Sequence, residues 1–285
     1  MSGQCILPLP RIPFVFDSPH SGRTYPADFL AASRLDERAI RRSEDTFVDE
    51  LFLSVVPLGA PLMRANFPRA WLDVNREPYE LDPGMFEGAL PPYANVRSMR
   101  VAGGLGTIAR VVSENVEIYD RPMPVDIALE RIESVYKPYH DRLAGLIDAT
   151  RRRFGFAVLV DCHSMPSSVR SAPGRMRADF VLGDRYGASC APEIADVAAT
   201  ILSGLGYTVS RNKPYAGGHI TEHYGRPAEG IHALQIEINR ALYMNERSLQ
   251  PNAGFAQVVA DLAIFARELS EMPDGGLWPM PLAAE

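Results

Sequence analysis

The sequence predicts an α/β fold in which helices cover both faces of a mixed, largely buried central sheet, a three-layer α/β/α arrangement. Apolar runs of strand length alternate along the chain with segments of helical spacing. The run at 156–160 is uninterrupted, which is typical of a strand buried on both faces. No repeat, linker or break in composition divides the 285 residues, so we expect a single domain over residues 1–285.

The predicted strands are short apolar runs that end at polar or turn-forming residues. In chain order they cover residues 12–16, 61–64, 70–74, 156–160, 207–209 and 233–238. Ligand sites of open α/β sheets gather at the carboxyl ends of strands. The polar residues that follow these runs are therefore the first candidates for chemistry.

The predicted helices are recognised by apolar residues at steps of three and four. The clearest covers residues 126–154, where Pro138 is expected to kink the helix or divide it. A charged segment at 27–56 also has helical spacing, and amphipathic helices are predicted over 192–205 and 257–271. Strands and helices thus alternate as a layered α/β domain requires.

Two segments are predicted to be loops. Residues 77–92 are dense in proline and glycine and show no period. Residues 217–225 carry His219 and His223, four positions apart, but the flanking glycines argue against a stable helix. We expect this second loop to be mobile and to supply polar contacts to a ligand rather than to bind zinc.

Composition places the chain among soluble globular proteins and excludes several classes. With 29 Lys and Arg against 35 Asp and Glu, the formal charge is −6, which gives no global nucleic-acid footprint. No stretch approaches the roughly 18 apolar residues of a membrane span, and the first residues lack a secretory pattern. Three cysteines without a C-x-x-C pair favour a reducing compartment, so we expect a cytoplasmic protein.

Two histidines, His20 and His163, directly follow strand-like runs. Two imidazoles at strand ends, with a carboxylate nearby, can bind zinc and leave one position open for water. The segment 43–46 could supply that carboxylate as Glu44 or Asp45. The alternative is that each histidine is an ordinary hydrogen-bonded structural residue.

Two further groups suit the chemistry of an anionic ligand. Asn75 and Arg76 end a short apolar segment, and an arginine fork beside an amide can grip a planar carboxylate. The alternative is a surface turn capped by the asparagine. Glu237 lies within an apolar run, where a carboxylate is costly unless it is paired or placed in a site. It is therefore a candidate general base, or else a residue that faces outward.

An ordered set of short motifs resembles the N-formylglutamate amidohydrolase family. The motifs cover the chain from about residue 13 to residue 244, in the order found in the family. They are SPHSG at 18–22, EDTFV at 44–48, LDVNR at 72–76, YKPYH at 136–140, DCHS at 161–164, GGHIT at 217–221, HYG at 223–225 and LQIE at 234–237.

That family is similar to the zinc carboxypeptidase and aspartoacylase group, which implies a phosphorylase/hydrolase-like α/β fold. The resemblance implies a zinc ion, or another divalent metal, held by His20, Asp45 and His163. Asp45 is preferred to Glu44 because the motif of the family keeps an aspartate there.

The resemblance also implies hydrolysis of an N-acyl amino acid, above all of N-formyl-L-glutamate to formate and L-glutamate, a late step of histidine breakdown. Glu237 would move a proton from water to the departing amine. His219 would steady the developing oxyanion or a side-chain carboxylate. Asn75 and Arg76, together with Arg69, would hold the carboxylate of the amino acid.

Two alternatives use the same residues. The substrate could be another N-acyl or N-carbamoyl amino acid or a short peptide, or the chain could be a carboxylate-binding domain without catalysis. In each case the partner is a small anionic molecule, and neither a nucleic acid nor a membrane is expected. The sequence leaves the oligomeric state open.

Overall fold

The computed structural model describes residues 3–113, 116–168, 177–273 and 277–278 of the chain. Two compact units are formed. The first is built from the segments Met1–Gln4, Pro19–Asp45 and Arg64–Arg142. The second is built from the segments Cys5–Ser18, Thr46–Met63 and Leu143–Glu285.

Most strands are as short as the sequence predicts, whereas β8 and β11 have nine residues each and are longer than predicted. In chain order they are β1 (Gln4–Ile6), β2 (Phe14–Ser18), β3 (Leu62–Arg64), β4 (Phe86–Glu87), β5 (Val111–Ser113), β6 (Val116–Glu117), β7 (Met123–Pro124), β8 (Ala157–Met165), β9 (Phe180–Gly183), β10 (Val209–Arg211), β11 (Ile231–Asn239), β12 (Met244–Asn245) and β13 (Gln250–Pro251).

Seven of these strands form one sheet, in the order β1-β3-β2-β8-β11-β9-β10. Strands β2, β8 and β11 are parallel neighbours, β9 is antiparallel to β11, and β10 is parallel to β9. Every residue of β2, β8, β9 and β11 is buried. The mixed sheet that the sequence predicts is confirmed.

The helices are shorter and more numerous than the predicted ones. They are α1 (Ala27–Ala32), α2 (Glu37–Ile40), α3 (Val48–Leu51), α4 (Val55–Leu58), α5 (Met99–Ala102), α6 (Val125–Arg131), α7 (Lys137–Phe154), α8 (Pro192–Gly204), α9 (His219–Tyr224) and α10 (Phe255–Ser270). No helix in the described part of the chain is both long enough and apolar enough to span a bilayer.

The alternation of side chains along β8 and β11 divides the central sheet into two different faces. One face is mostly apolar, and its apolar residues join the hydrophobic core of the second unit with α8 and α10. From these two strands they are Val158, Val160, Cys162, Leu234, Ile236 and Ile238. Ser164 and His232 have the same parity as these core residues, whereas Asp161, His163, Gln235 and Glu237 lie on the opposite face, which is the face on which chemistry can occur.

Two predicted elements are wrong. Residues 27–56 form four short helices rather than one, because the Asp36 side chain caps α2 and Phe47 adopts a left-handed φ of 68°. Residues 70–74 form a turn rather than a strand. The Trp71 amide bonds back to Pro68 O at 3.0 Å, and the Asp73 side chain accepts from the Asn75 amide at 2.9 Å.

The helix predicted over 126–154 is present and is divided just before Pro138. Between α6 and α7, residues Ile132–Tyr136 form a π-helical turn, in which the Lys137 amide bonds to Ile132 O. Proline lacks the N–H that an uninterrupted α-helix would need at position 138. The widened turn therefore accommodates Pro138, as the sequence predicts.

The segment predicted to be a mobile loop at 217–225 is instead the helix α9. Its glycines lie outside the helical turns, since Gly218 is the N-cap and Gly225 the C-cap. Glycine at these flanking positions does not weaken the helix as it would inside it. Whether such a segment is helical therefore depends on where its glycines lie relative to the helix ends.

His232 on β11 is buried and joins the sheet to the C-terminal segment. Its Nδ1 accepts from the Ala191 amide at 3.2 Å, and its Nε2 donates to Leu277 O at 2.9 Å. Burial lowers the pKa of His232 below its usual value. Because a protonated Nδ1 could not accept from Ala191, the folded state holds this ring neutral.

We expect the free energy of unfolding to fall as the pH drops below the unfolded-state pKa of histidine, about 6.5. The unfolded chain then binds a proton that folded His232 resists, and each unit of pKa difference costs about 1.4 kcal/mol. Urea unfolding between pH 7.5 and pH 5 measures this effect. The His232→Phe variant is the control and should show a flatter dependence. An unchanged slope in that variant would contradict the assignment.

Candidate metal and substrate site

His20 lies in the turn after β2, is buried, and has a carboxylate of the first unit beside each ring nitrogen. Its Nε2 is 2.7 Å from Asp73 Oδ1, and its Nδ1 is 3.4 Å from Asp45 Oδ2. The Asp45 amide donates to His20 O at 3.0 Å, which holds the two residues together through the backbone as well. The carboxylate at Nε2 fixes the proton there and leaves the Nδ1 lone pair directed at the Asp45 side.

His163 has the same arrangement on β8. Its Nε2 is 2.7 Å from Asp161 Oδ1, two residues earlier on the strand. Residues two apart on a strand share a face, so the spacing Asp-x-His places this carboxylate beside the imidazole. The sequence analysis expected both residues after the strand, whereas β8 continues through Met165 and contains them. The strand backbone therefore holds this histidine rigidly.

One ligand atom from each of His20, Asp45 and His163 lies within 4.8 Å of the others, and all three residues are buried. Among the described residues this is the one group of three or more His, Cys, Asp or Glu side chains so arranged. Two imidazoles and one carboxylate, each imidazole backed by a second carboxylate, form a donor set that suits Zn²⁺. These residues could hold a metal ion.

The neighbouring Glu44 has a different role from Asp45. Its carboxylate receives two hydrogen bonds from Arg41, both at 2.9 Å, and one from the Tyr25 hydroxyl at 3.1 Å. Burial and the charge of Glu44 raise the pKa of Tyr25, so that the hydroxyl remains a donor. Glu44 is thus a buried ion-pair partner, and Asp45 is the residue directed at His20.

The Asp73 carboxylate pairs with both arginines of the predicted substrate-binding segment. Arg69 Nη2 is 2.7 Å from Asp73 Oδ2, and Arg76 Nη2 is 3.6 Å from the same atom. Burial opposes ionisation of Asp73, but Arg69, Arg76 and His20 together hold its pKa well below the usual range. One carboxylate therefore joins His20 to the arginines.

Side chains from the helix predicted over 126–154 bond to backbone carbonyls of this segment. The Tyr136 hydroxyl donates to Arg76 O at 2.6 Å, and His140 Nε2 is 2.9 Å from Val74 O. Arg131 Nη1 donates to Trp71 O at 3.1 Å. Three side chains of one helical element thus fix the loop that carries Asn75 and Arg76.

Arg76 is nearly buried and makes bonds within the first unit. Its Nε donates to Leu105 O and its Nη1 to Asn75 O, both at 2.7 Å. Burial lowers the pKa of Arg76, while Asp73 acts in the opposite direction. Arg69 is the more exposed of the two guanidinium groups beside Asp73. Arg76 therefore contacts two backbone carbonyls of the first unit, and its predicted role in binding a carboxylate stays a prediction.

Glu237 lies on the polar face of β11, opposite His163 in the register of β8 and β11. Gln235 Nε2 donates to Glu237 Oε1 at 3.0 Å, and the Gly218 amide donates to Gln235 Oε1 at 2.7 Å. His219, the first residue of α9, follows Gly218 directly. The predicted base Glu237 and the predicted His219 are thus linked through a glutamine.

His219 and His223 stack on the surface of α9, with ring centroids 5.3 Å apart and planes at 25°. Burial, followed by the charge of Arg226, lowers the pKa of His223. The pair belongs to no cluster of three or more metal-binding side chains in the described ranges.

Asp73, Asp161 and Gln235 lie within the short motifs but were not among the site residues predicted from the sequence. A signal for two of them was present. Period-two spacing places Asp161 on the face of His163 and Gln235 on the face of Glu237. No comparable signal exists for Asp73, whose loop position depends on contacts between segments distant in the sequence.

The sequence matches the family described as N-formylglutamate amidohydrolase over residues 12–244. It is 29% identical over 239 residues to the N-formylglutamate deformylase of Pseudomonas putida, with 83% of each chain covered. It is 29% identical over 265 residues to the N-formylglutamate deformylase of Pseudomonas aeruginosa, with 92% of each chain covered. The similarity extends over most of the length of both relatives.

Among solved structures, the chain is similar to an N-formylglutamate amidohydrolase from Ralstonia eutropha JMP134. The TM-score is 0.88 at 38% identity, covering 94% of this chain and 97% of that one. A gene product of Agrobacterium tumefaciens has a TM-score of 0.65 at 20% identity, with 94% of each chain covered, and shares the fold alone. The α/β fold with its mixed sheet is that of these neighbours.

We expect Asp45→Asn to weaken zinc binding by more than about 100-fold, the upper range for loss of a residue that only supports a ligand. Glu44→Gln should leave zinc affinity near that of the unsubstituted protein and lower the free energy of unfolding by about 1–3 kcal/mol, because Arg41 loses a charged partner. Competition with a chromophoric chelator and urea unfolding measure the two effects. Equal losses of zinc affinity in both variants would contradict the assignment.

Proposed function

Because this chain belongs to the N-formylglutamate amidohydrolase family, we propose that it hydrolyses N-formyl-L-glutamate to formate and L-glutamate. The observation that carries the proposal is the buried group of His20, Asp45 and His163. Metal-assisted hydrolysis of an amide requires a group of side chains that can hold a metal ion beside the scissile bond, and these three residues could form such a group. The names of the deformylase relatives support the choice of substrate.

His20, Asp45 and His163 would hold a zinc ion, which when bound supplies Lewis-acid activation of water and of the scissile carbonyl. The donor set of two imidazole nitrogens and one carboxylate oxygen fits zinc and would accept other divalent metals of similar preference. Asp73 and Asp161 fix the tautomers of the two histidines by bonding Nε2. The protein thereby keeps the lone pairs of Nδ1 ready for a cation.

Glu237 moves the proton that the reaction requires. Water adds its oxygen to the formyl carbon, and Glu237 accepts the proton that this water loses. As the carbon–nitrogen bond breaks, Glu237 gives the proton to the departing amine. The carboxylate returns to its starting state, and the products are formate and L-glutamate. The bond from Gln235 fixes which way the carboxylate faces.

The substrate carries two carboxylates, whereas the chain has a formal charge of −6, so its attraction must be local. Arg69 and Arg76 lie together beside the ionised Asp73, and the three groups leave one net positive charge in one place. Asn75 adds an amide on the same segment. We assign these three residues to the α-carboxylate, and His219 to the oxyanion or the side-chain carboxylate.

We further propose that the chain acts as one three-layer catalytic domain over residues 1–285. The family match runs through segments of both compact units, which supports a single functional entity. We also propose a reducing, cytoplasmic setting, with which the absence of a disulfide among Cys5, Cys162 and Cys190 of the described ranges is compatible. Release of L-glutamate there would complete a late step of histidine breakdown.

A panel of N-acyl amino acids tests the function. We expect kcat/KM for N-formyl-L-glutamate to exceed that for N-formyl-L-glutamine by at least about 30-fold, because one desolvated charged contact is lost. Released amine is measured before chelation, after chelation, and after zinc is restored. N-acetyl-L-glutamate and N-carbamoyl-L-glutamate test the acyl group.

The outcomes distinguish the alternatives. If an acetyl, carbamoyl or peptide substrate is turned over faster, that compound and not N-formyl-L-glutamate would be the preferred substrate. Zinc retention without hydrolysis of any member of the panel would make the chain a carboxylate-binding domain. Activity that survives complete chelation would exclude the metal-assisted mechanism.

Glu237→Gln keeps the shape of the side chain but removes the proton acceptor. We expect kcat to fall by about 10²- to 10⁴-fold, with unchanged zinc content. The matched control is Glu222→Gln on α9, whose carboxylate is half-exposed and pairs with Arg185 at 2.6 Å. Similar losses in both variants would show that the proton acceptor is not specifically Glu237.

A further inference from the structure

Gln235 uses both ends of its side-chain amide within the second unit. Its Nε2 donates to Glu237 Oε1 at 3.0 Å, and its Oε1 accepts from the Gly218 amide at 2.7 Å. We propose that Gln235 is a positioning residue, which holds the Glu237 carboxylate and the first turn of α9 in one fixed geometry. This inference rests on the proposed function, in which Glu237 and His219 act on one substrate.

The backbone is shaped to bring Gly218 to this glutamine. Gln235 pairs with Gly183 in the register of β11 and β9. A Cβ at Gly183 would lie 2.7 Å from Ala216 C and 2.8 Å from Gly217 N, so only glycine allows the chain to pass this close. Gly217 has a φ of 124°, a conformation that other residues rarely adopt. Two glycines thus place the start of α9 against Gln235.

The first turn of α9 depends on Gln235 for one of its amide partners. Gly218 has no side chain, and the helix has no side-chain cap. The amide at a helix start lacks a partner within the helix, so an outside acceptor must supply one. Gln235 Oε1 is that acceptor, while Thr221 Oγ1 donates to Gly218 O at 3.0 Å from inside the helix.

The two bonds of Gln235 require one orientation of the amide. A flipped amide would direct its NH₂ group at the Gly218 N–H and its oxygen at the Glu237 carboxylate, and both contacts would be repulsive. Because Gln235 is buried, water cannot readily replace either bond. A displacement of α9 therefore disturbs Glu237, and the same glutamine sets the separation between the proposed base and His219.

Two variants separate the bonds. Gln235→Glu keeps an oxygen for the Gly218 amide but directs a second carboxylate at Glu237. Gln235→Met has a similar length and removes both bonds. The control is Tyr207→Phe. It removes a different partly buried hydrogen bond, in which the Tyr207 hydroxyl donates to Asp261 Oδ2 at 2.6 Å.

Two readouts are taken on the full chain loaded with zinc. Hydrogen exchange of peptides covering 216–224 reports on the start of α9, and steady-state kinetics with N-formyl-L-glutamate separates kcat from KM. We expect Gln235→Met to speed exchange in this segment and to lower kcat by about 10- to 100-fold, the usual effect of a lost supporting contact. KM should change by less than about threefold, since the glutamine does not touch the substrate.

Gln235→Glu should lower kcat to a similar extent while exchange in 216–224 stays close to that of the unsubstituted protein. Tyr207→Phe should change neither readout. Unchanged kcat in Gln235→Glu would overturn the proposal, even if Gln235→Met failed to fold. Unchanged exchange in Gln235→Met would overturn the link to α9. If the unsubstituted protein failed to hydrolyse N-formyl-L-glutamate, the proposed function would fail, and exchange would still test the link.

Discussion

The strict alternation of side chains along β8 and β11 is the constraint on which the rest of the structure depends. It directs Val160, Cys162 and Ile236 into the core and their neighbours to the opposite face. A slip of one residue in the pairing would direct the polar set into the apolar core and the apolar set onto the face of the site. The same hydrophobic burial that stabilises the sheet therefore also fixes where His163 and Glu237 lie.

Pairing of buried polar groups is the second requirement that this arrangement creates. An isolated buried charge costs several kcal/mol, whereas a charge that accepts hydrogen bonds from cations and amides is tolerated. Asp73 satisfies this requirement with two arginines and a histidine, and Glu44 does so with Arg41 and Tyr25. The site is consequently built from carboxylates whose directions are set by their partners.

The parts predictable from the sequence were those that depend on short-range periodicity. Runs such as 156–160 predicted the central strands, and motif order brought His20, Asp45 and His163 together as candidates. The turn at 70–74 was mistaken for a strand because its apolar residues are buried by distant segments, which no local pattern reveals. Helix α9 was mistaken for a loop because composition alone does not distinguish a capping glycine from an interior one.

The π-helical turn at Ile132–Tyr136 sets the directions in which the side chains of α6 and α7 point relative to one another. Side chains of these helices hold the loop that contains Asn75. In an α-helix, positions five apart point in different directions, since each residue turns the chain by about 100°. A turn closed by bonds between positions five apart instead brings Arg131 and Tyr136 closer to the same side of the element, and His140 follows one α-helical turn later. All three side chains can therefore reach the backbone between Trp71 and Arg76. The deletion of a single residue in this turn would rotate one half of the element away from that loop while leaving its helical content almost intact.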